Sequence, residues 1–357
     1  MAPAGAVRRL AVLADDLTGA ADAAAPFAAR GLSVSVALEP KRPLPDVDVL
    51  ALLTDNRWRP AAEAAERTRA AVAHIREHRP DLLFVKIDST LRGRVHDDVA
   101  VALDAWAAGP ALATPAFPAQ GRAVRDGALL VHGETTVPRV RDRFPDGVEV
   151  LDAGTDAELI AIAHRILDAR ALAVGSGGLS RALAEVLVPT PHPPRRPDPA
   201  TGVLLAVGTP HPTTQAQVGR LLAAGAQLVT LGRDADPAAA ATAALRDGGR
   251  VVLTCHVDGE VEPDSPRAAA LADDLATVVG AVLAAAPAAG LVLTGGATAL
   301  AVTTALGAAE IRLRSEVAPG MPLGGMVVGD RRIPVVTKSG GFGAPDALCR
   351  AADALEE

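Results

Sequence analysis

Tyrosine is absent from the 357 residues, and five Phe and two Trp hold the aromatic share to 2%. Stacking platforms for bases or sugar rings therefore cannot dominate binding, and a ligand is expected to be held by hydrogen bonds and charge. Cysteine is nearly absent too. Cys255 and Cys349 cannot build a disulfide framework, so a reducing cytoplasm is the expected setting. Both read as packing residues rather than nucleophiles. Excess positive charge is missing: the formal net charge is −7, which argues against nucleic acid or an anionic membrane as partner. The N-terminal run MAPAGAVRRLAVLADDLTG turns acidic too soon for a signal peptide. The longest apolar stretch, Leu275–Leu291, falls short of a membrane span and reads as a buried or surface helix. Motifs are missing as well. There is no GxxxxGK[ST], no GxSxG, no HExxH and no paired CxxC, and the eight histidines are scattered. The first βα turn is Asp15-Asp16-Leu17-Thr18-Gly19 rather than GxGxxG, which excludes a standard dinucleotide site there.

What is present is a globular composition, 49% apolar and 22% charged, on a length that suits about two domains. Short β-type runs alternate with Ala-rich helical stretches. The runs are Val7–Ala14, Leu32–Leu38, Val49–Leu53, Leu82–Ile87, Ala111–Thr114 and Ala171–Val174. Helices are expected at Thr18–Arg30 and Ala61–His78. The proline-dense PTPHPPRRPDP segment, Pro189–Pro199, reads as a semi-rigid linker. Beyond it, strands are expected at Val203–Val207, Leu228–Leu231, Val251–Thr254 and Leu291–Thr294. Helices are expected at Thr213–Ala224, Pro266–Ala286 and from Gly296 to about Leu306. A hairpin of Met326–Val328 and Ile333–Val336 turns at Gly329–Asp330, and a last helix covers Pro345–Leu355. The expectation is an α/β protein of two α/β domains, each with a largely parallel sheet flanked by helices and with a ligand cleft between them. The boundaries are 1–188, a linker at 189–200, and 201–357.

Open α/β sheets bind ligands outside the carboxyl ends of their strands. In the first domain those ends carry Asp15 and Asp16, then Thr54 to Arg57, then Lys86, Asp88, Ser89 and Arg92, then Gln120 and Arg122, then Gly175–Gly178. Parallel strands bring these loops to one mouth rich in carboxylates and cations, suited to a small anionic, hydroxyl-rich molecule. Each residue also has a plainer reading. Asp15 or Asp16 would cap the following helix, Lys86 would pair with one of them, and Arg122 would be a solvated loop residue.

The second domain has glycine turns between strand and helix at Gly208–Thr209, Gly295–Gly296–Ala297–Thr298 and Lys338–Gly343. Such turns offer backbone N–H groups and a helix dipole to phosphate, although a single one is more often only a tight turn. Three together favour a polyphosphate site.

ADDLTGAAD at Ala14–Asp22, KIDSTLRG at Lys86–Gly93, PAFPAQGR at Pro115–Arg122, TGGATA at Thr294–Ala299 and KSGGFG at Lys338–Gly343 resemble the four-carbon acid sugar kinase family. The resemblance runs in order over nearly the whole chain. It implies an ATP-dependent enzyme that phosphorylates threonate, erythronate or an oxo-tetronate, with the sugar acid on the first domain and the nucleotide on the second. On that basis Arg92, Ser89 and Arg57 hold the acid's carboxylate, in a pocket shared with Asp88, Gln120 and Arg122. Asp15 and Asp16 face its hydroxyls, one of the two, Asp16 in preference to Asp15, accepts the proton, and Lys86 orients that carboxylate or touches the phosphoryl group. ATP lies against Gly295, Gly296, Thr298, Lys338, Gly340, Gly341 and Gly343, with Thr209, His211 and Thr214 from the turn after the linker. Magnesium bridges phosphate oxygens with no assigned protein ligand. Closure about the linker excludes water, and a homodimer is the default assembly. The chain departs from the family in being short, with a trimmed region around Gly133–Gly147. Ala297 replaces a frequent acid, and Asn56 a frequent serine. Two rival functions stay open: a metal-dependent sugar-acid lyase or aldolase, and a non-catalytic sugar-acid sensor.

Overall fold

The computed structural model describes residues 7, 9–38, 44–106, 109–188, 190, 199–257, 259, 261–262, 265–287 and 289–357, so the expected linker lies almost wholly outside them. The chain divides into two compact units, Met1–Pro194 and Arg195–Glu357.

The first unit runs β1 (Leu10–Ala14), α1 (Leu17–Ala29), β2 (Val34–Ala37), β3 (Val49–Leu53), α2 (Ala61–Glu77), β4 (Leu82–Lys86), α3 (Val95–Trp106), β5 (Ala111–Thr114), β6 (Arg122–Arg125), β7 (Ala128–Val131), β8 (Glu134–Val137), β9 (Val148–Val150), α4 (Asp156–Ala169), β10 (Leu172–Gly175) and α5 (Gly177–Leu187). Strands pair in the order β2-β3-β1-β4-β10-β5-β9. Every pairing among them is parallel. Continuous apolar runs suit strands buried on both faces, and β1 and β4 are buried throughout. The chain leaves β1 toward β2 and leaves β4 toward β5. The topological switch therefore lies between β1 and β4, where Ala14 pairs with Lys86. Helix α1 is buried on nearly every side. Its alanines let it lie close against the sheet and α5. The antiparallel sheet β6-β7-β8 was not expected. Its strands are only four residues long, β7 is an unbroken apolar ALLV and β8 is mostly exposed, so no apolar alternation announces them.

The second unit runs β11 (Val203–Val207), α6 (Pro212–Ala223), β12 (Gln227–Leu231), α7 (Pro237–Arg246), β13 (Arg250–Cys255), α8 (Pro266–Ala285), β14 (Gly290–Thr294), α9 (Gly296–Ala305), β15 (Glu310–Ala318), β16 (Met321–Val328), β17 (Arg331–Lys338) and α10 (Ala347–Glu356). Its strand order is β12-β13-β11-β14-β17-β16-β15. The first five are parallel, while β17-β16 and β16-β15 are antiparallel. The expected hairpin is thus longer and carries a third strand, β15. Pro322, Gly324 and Gly325 interrupt the apolar pattern of β16. A Cβ at Gly324 would lie 2.4 Å from the Arg312 carbonyl oxygen, so the glycine permits that close crossing. Among the described residues α8 is the one helix long and apolar enough to cross a membrane. It turns Leu275, Val279, Val282 and Leu283 into the unit.

Candidate active site

At the β1/β4 switch the chain builds a chain of opposite charges. Asp16 caps α1, its Oδ1 accepting from the Gly19 N–H at 2.7 Å, as the plainer reading of the sequence anticipated. Arg57, delivered by the loop after β3, donates to both oxygens of Asp15 at 2.7 and 2.8 Å and to Asp16 Oδ2 at 2.7 Å. Asp88 Oδ2 lies 3.9 Å from the same guanidinium. Arg57 is therefore not the open carboxylate grip that the sequence suggested. Two adjacent carboxylates leaving one strand end repel each other, and the guanidinium between them offsets that repulsion. Burial pushes the Asp15 carboxyl up, Asp16 adds to this, and Arg57 opposes it.

Asp88 is likewise occupied. It accepts from the Thr90 N–H at 2.9 Å, from the Thr90 hydroxyl, and from Arg92 Nε and Nη2 at 3.2 and 2.6 Å. Burial acts to raise its pKa, but the Arg92 bonds and the Arg92 and Arg57 charges hold it well below the usual carboxylate range. Such a group orients arginines and accepts no proton in a reaction. The Arg92 side chain itself is 62% exposed, the most open cation of the cluster. Ser89, Gln120 and Arg122 are buried beside it. A short helical turn, Pro118–Gln120, ends at Gly121 in the left-handed region (φ 73°) and leads into Arg122, which donates to the Gln120 carbonyl.

Sequence reading missed one residue of this site. Asp22 is 4% exposed, and its Oδ1 has no hydrogen-bond partner among the described residues. Burial pushes its carboxyl up to about 6, against the pull of Lys86 and Arg181. An acid inside the otherwise apolar α1, three residues after Gly19 and so on the same face, was the available signal.

In the second unit the three glycine turns converge. A Cβ at Gly208 would sit 2.1 Å from Thr298 Oγ1, one at Gly340 2.6 Å from Thr209 Oγ1, and one at Gly341 3.0 Å from His211 Nε2. Gly295 adopts φ 100° and faces Thr209, with a would-be Cβ 3.4 Å from the threonine Cβ. Gly296 opens α9 behind it. His211 Nδ1 accepts from the Thr213 N–H at 3.2 Å, which leaves Nε2 as the protonated nitrogen of a neutral ring.

Lys338 and Thr214 take a different place from the one expected. Lys338 is fully buried, and its Nζ donates to Thr214 Oγ1 (3.0 Å) and to the carbonyls of Ser339 (3.0 Å), Gly340 (3.4 Å) and Phe342 (3.1 Å). Three protons facing four oxygens leave nothing for phosphate. Burial pushes the ammonium down to about 8, so it stays charged at neutral pH. Thr214 donates to the Gly340 carbonyl at 2.6 Å, and Gln217 Nε2 takes the carbonyls of Phe342, Gly343 and Ala344. Every carbonyl from Ser339 to Ala344 except that of Gly341 is thus tied down. The N–H groups of Gly340, Gly341 and Gly343 donate to no backbone carbonyl of the described residues. This is the donor set that an anion needs.

The family model described as "Sugar-binding N-terminal domain" matches residues 10–146, and "Nucleotide-binding C-terminal domain" matches 204–348. A D-threonate kinase of Bordetella bronchiseptica is 34% identical, the match covering 98% of each chain. One from Salmonella typhimurium is 29% identical over 98% of this chain and 99% of its own. Other relatives are named D-erythronate kinase and 3-oxo-tetronate kinase. A crystal structure from Haemophilus influenzae, assigned to DUF1537, shares the fold with a TM-score of 0.71 at 20% identity, covering 97% of this chain and 100% of its own. With both domain models in order and full-length relatives above 30% identity, the chain belongs to the four-carbon acid sugar kinase family.

Proposed function

We propose that this chain is an ATP-dependent kinase that phosphorylates a hydroxyl of D-threonate. Full-length relatives at 34, 29 and 32% identity carry the name D-threonate kinase, which supports that acid over erythronate and the oxo-tetronates. The observation that carries the reading is the division of labour between the units. One has a mouth of cations and carboxylates, and the other a loop with its carbonyls tied inward and glycine N–H groups left for phosphate. A lyase or a sensor would leave that second loop without a purpose.

Phosphoryl transfer asks a protein chiefly to position groups and to spread charge. Arg92, Arg122 and Ser89 hold the acid's carboxylate, with Asp88 fixing the Arg92 fork. Arg57 holds Asp15 and Asp16 in place. Asp16 is the more open of the two, at 19% side-chain exposure against 12%, and accepts the proton of the attacking hydroxyl. The N–H groups of Gly340, Gly341 and Gly343, the α9 N-terminus, Thr209 and the His211 Nε2–H bind nucleotide phosphates. Among the described residues no cluster of three or more His, Cys, Asp or Glu is arranged around a cation, so magnesium would be carried by the phosphates.

The test is ADP release from magnesium-ATP with D- and L-threonate, D- and L-erythronate and their oxo forms. D-threonate is expected to give the highest kcat/KM. Silence across the panel would sink the reading. Gly341→Val drives a side chain toward the His211 ring, so ADP affinity should fall about tenfold or more, a loss of roughly 1.4 kcal/mol. Calorimetry with ADP checks this, and an unaltered Kd would remove Gly341 from the nucleotide site.

A further inference from the structure

The first unit holds two buried, opposite charges, close to its strand ends, that stop short of each other. Lys86 ends β4 and is 7% exposed, and Asp22 lies in α1 and is 4% exposed. Their charges act on each other, yet no ion pair or hydrogen bond joins Lys86 to Asp22 or to any other described residue. Asp22 Oδ1 is unpartnered as well. Two glycines make room for these heads. A Cβ at Gly19 would lie 3.2 Å from Lys86 Nζ, and one at Gly177 would lie 2.5 and 2.8 Å from the Asp22 oxygens. The Lys86 charge also acts on Asp15, but no hydrogen bond among the described residues satisfies either head group, and a fold shaped by stability alone would close such a pair. An alcohol satisfies both sides at once, because its O–H donates to a carboxylate while its lone pairs accept from an ammonium.

We propose that Asp22 and Lys86 form a hydroxyl subsite for the sugar acid, reading a hydroxyl that is not phosphorylated. The phosphorylated hydroxyl must stay accessible to its donor, so the buried pair is left for another. The proposal rests on the sugar-acid reading given above. A site that hydrogen-bonds a substrate hydroxyl rejects the analogue lacking it strongly, here by an expected factor on the order of 10³ or more.

The experiment compares kcat/KM for D-threonate and its three monodeoxy acids in the native protein, Asp22→Leu and Lys86→Met. In the native protein, a monodeoxy acid that still accepts phosphate should be disfavoured by on the order of 10³. In each variant that ratio should shrink below about 10, because the loss on D-threonate exceeds any loss on the analogue by about the factor that the missing hydroxyl contact supplied. Melting and ADP affinity report folding, and the isosteric Asp22→Asn, expected to shrink the ratio in the same direction, decides if the bolder variants fail to fold. A ratio unmoved in a folded variant, or a native protein that accepts all the monodeoxy acids it can phosphorylate equally, overturns the subsite alone. Absence of any acid-dependent ADP release in the native protein overturns the kinase reading, and the subsite with it.

Discussion

Arg57→Leu is expected to destabilise the first unit by about 3–5 kcal/mol, the range for removing one partner of a buried ion pair. Three of the guanidinium's N–H groups serve two carboxylates that are neighbours in sequence, and its side chain is only 12% exposed. Without it, Asp15 and Asp16 face each other at the end of a buried strand with Lys86 as the cation left beside them. Arg57→Lys should recover only part of the loss, since one ammonium cannot reproduce the fork that grips Asp15 at both oxygens. The sign of the pH effect follows. With its counter-charge gone, Asp15 titrates higher in the folded variant than in the unfolded chain. Proton uptake then favours the folded form, and the deficit is largest at neutral pH and shrinks in acid. Urea unfolding at pH 7 and pH 5 measures both. A loss below about 1 kcal/mol would show the cluster to be energetically idle, as exposed pairs commonly are.

Asp16→Asn should lower turnover by about 10²–10⁴, the usual contribution of a positioned proton acceptor, while ADP affinity stays within a factor of about two. Asparagine caps helices as well as aspartate does, so α1 keeps its start and the Gly19 N–H keeps an acceptor. What disappears is the charge that pairs with Arg57 and is proposed to take the proton. Steady-state kinetics and ADP calorimetry on the same preparation separate the effects. Turnover within about tenfold of native would move the proton acceptor elsewhere in the cluster.

Much of this was legible in the chain. Most parallel strands of both units follow from apolar runs, β9 being an exception, and the parallel register sets Ala14 beside Leu53 on one side and Lys86 on the other. The loops after these strands therefore meet without further information. Pairing within the mouth was not legible. Arg57 is equally able to grip a substrate or two aspartates, and only the path of the loop after β3 decides between them. Lys338 looked like a phosphate ligand because a lysine at a strand end beside glycines reads that way. Its direction depends on Thr214, more than a hundred residues away in sequence. Asp22 was hidden inside an alanine-rich helix, where periodicity marks burial but not what the buried acid faces. Strands β6 to β8 carry too little apolar alternation to be seen without their partners, whereas β15 did alternate, with Ile311, Leu313 and Val317 between charged residues, and was overlooked.

For the proposed nucleotide site, the Lys338 clip also bears on the timing of capture. Thr214, Gln217 and Lys338 fix the Ser339–Ala344 backbone before any ligand arrives. The loss of conformational freedom in that loop is thus incurred when the second unit folds, not when nucleotide binds. With nucleotide held there as proposed, association would require no slow ordering step, and exchange of spent for fresh nucleotide would be governed by how fast the phosphates leave rather than by how fast a loop assembles around them.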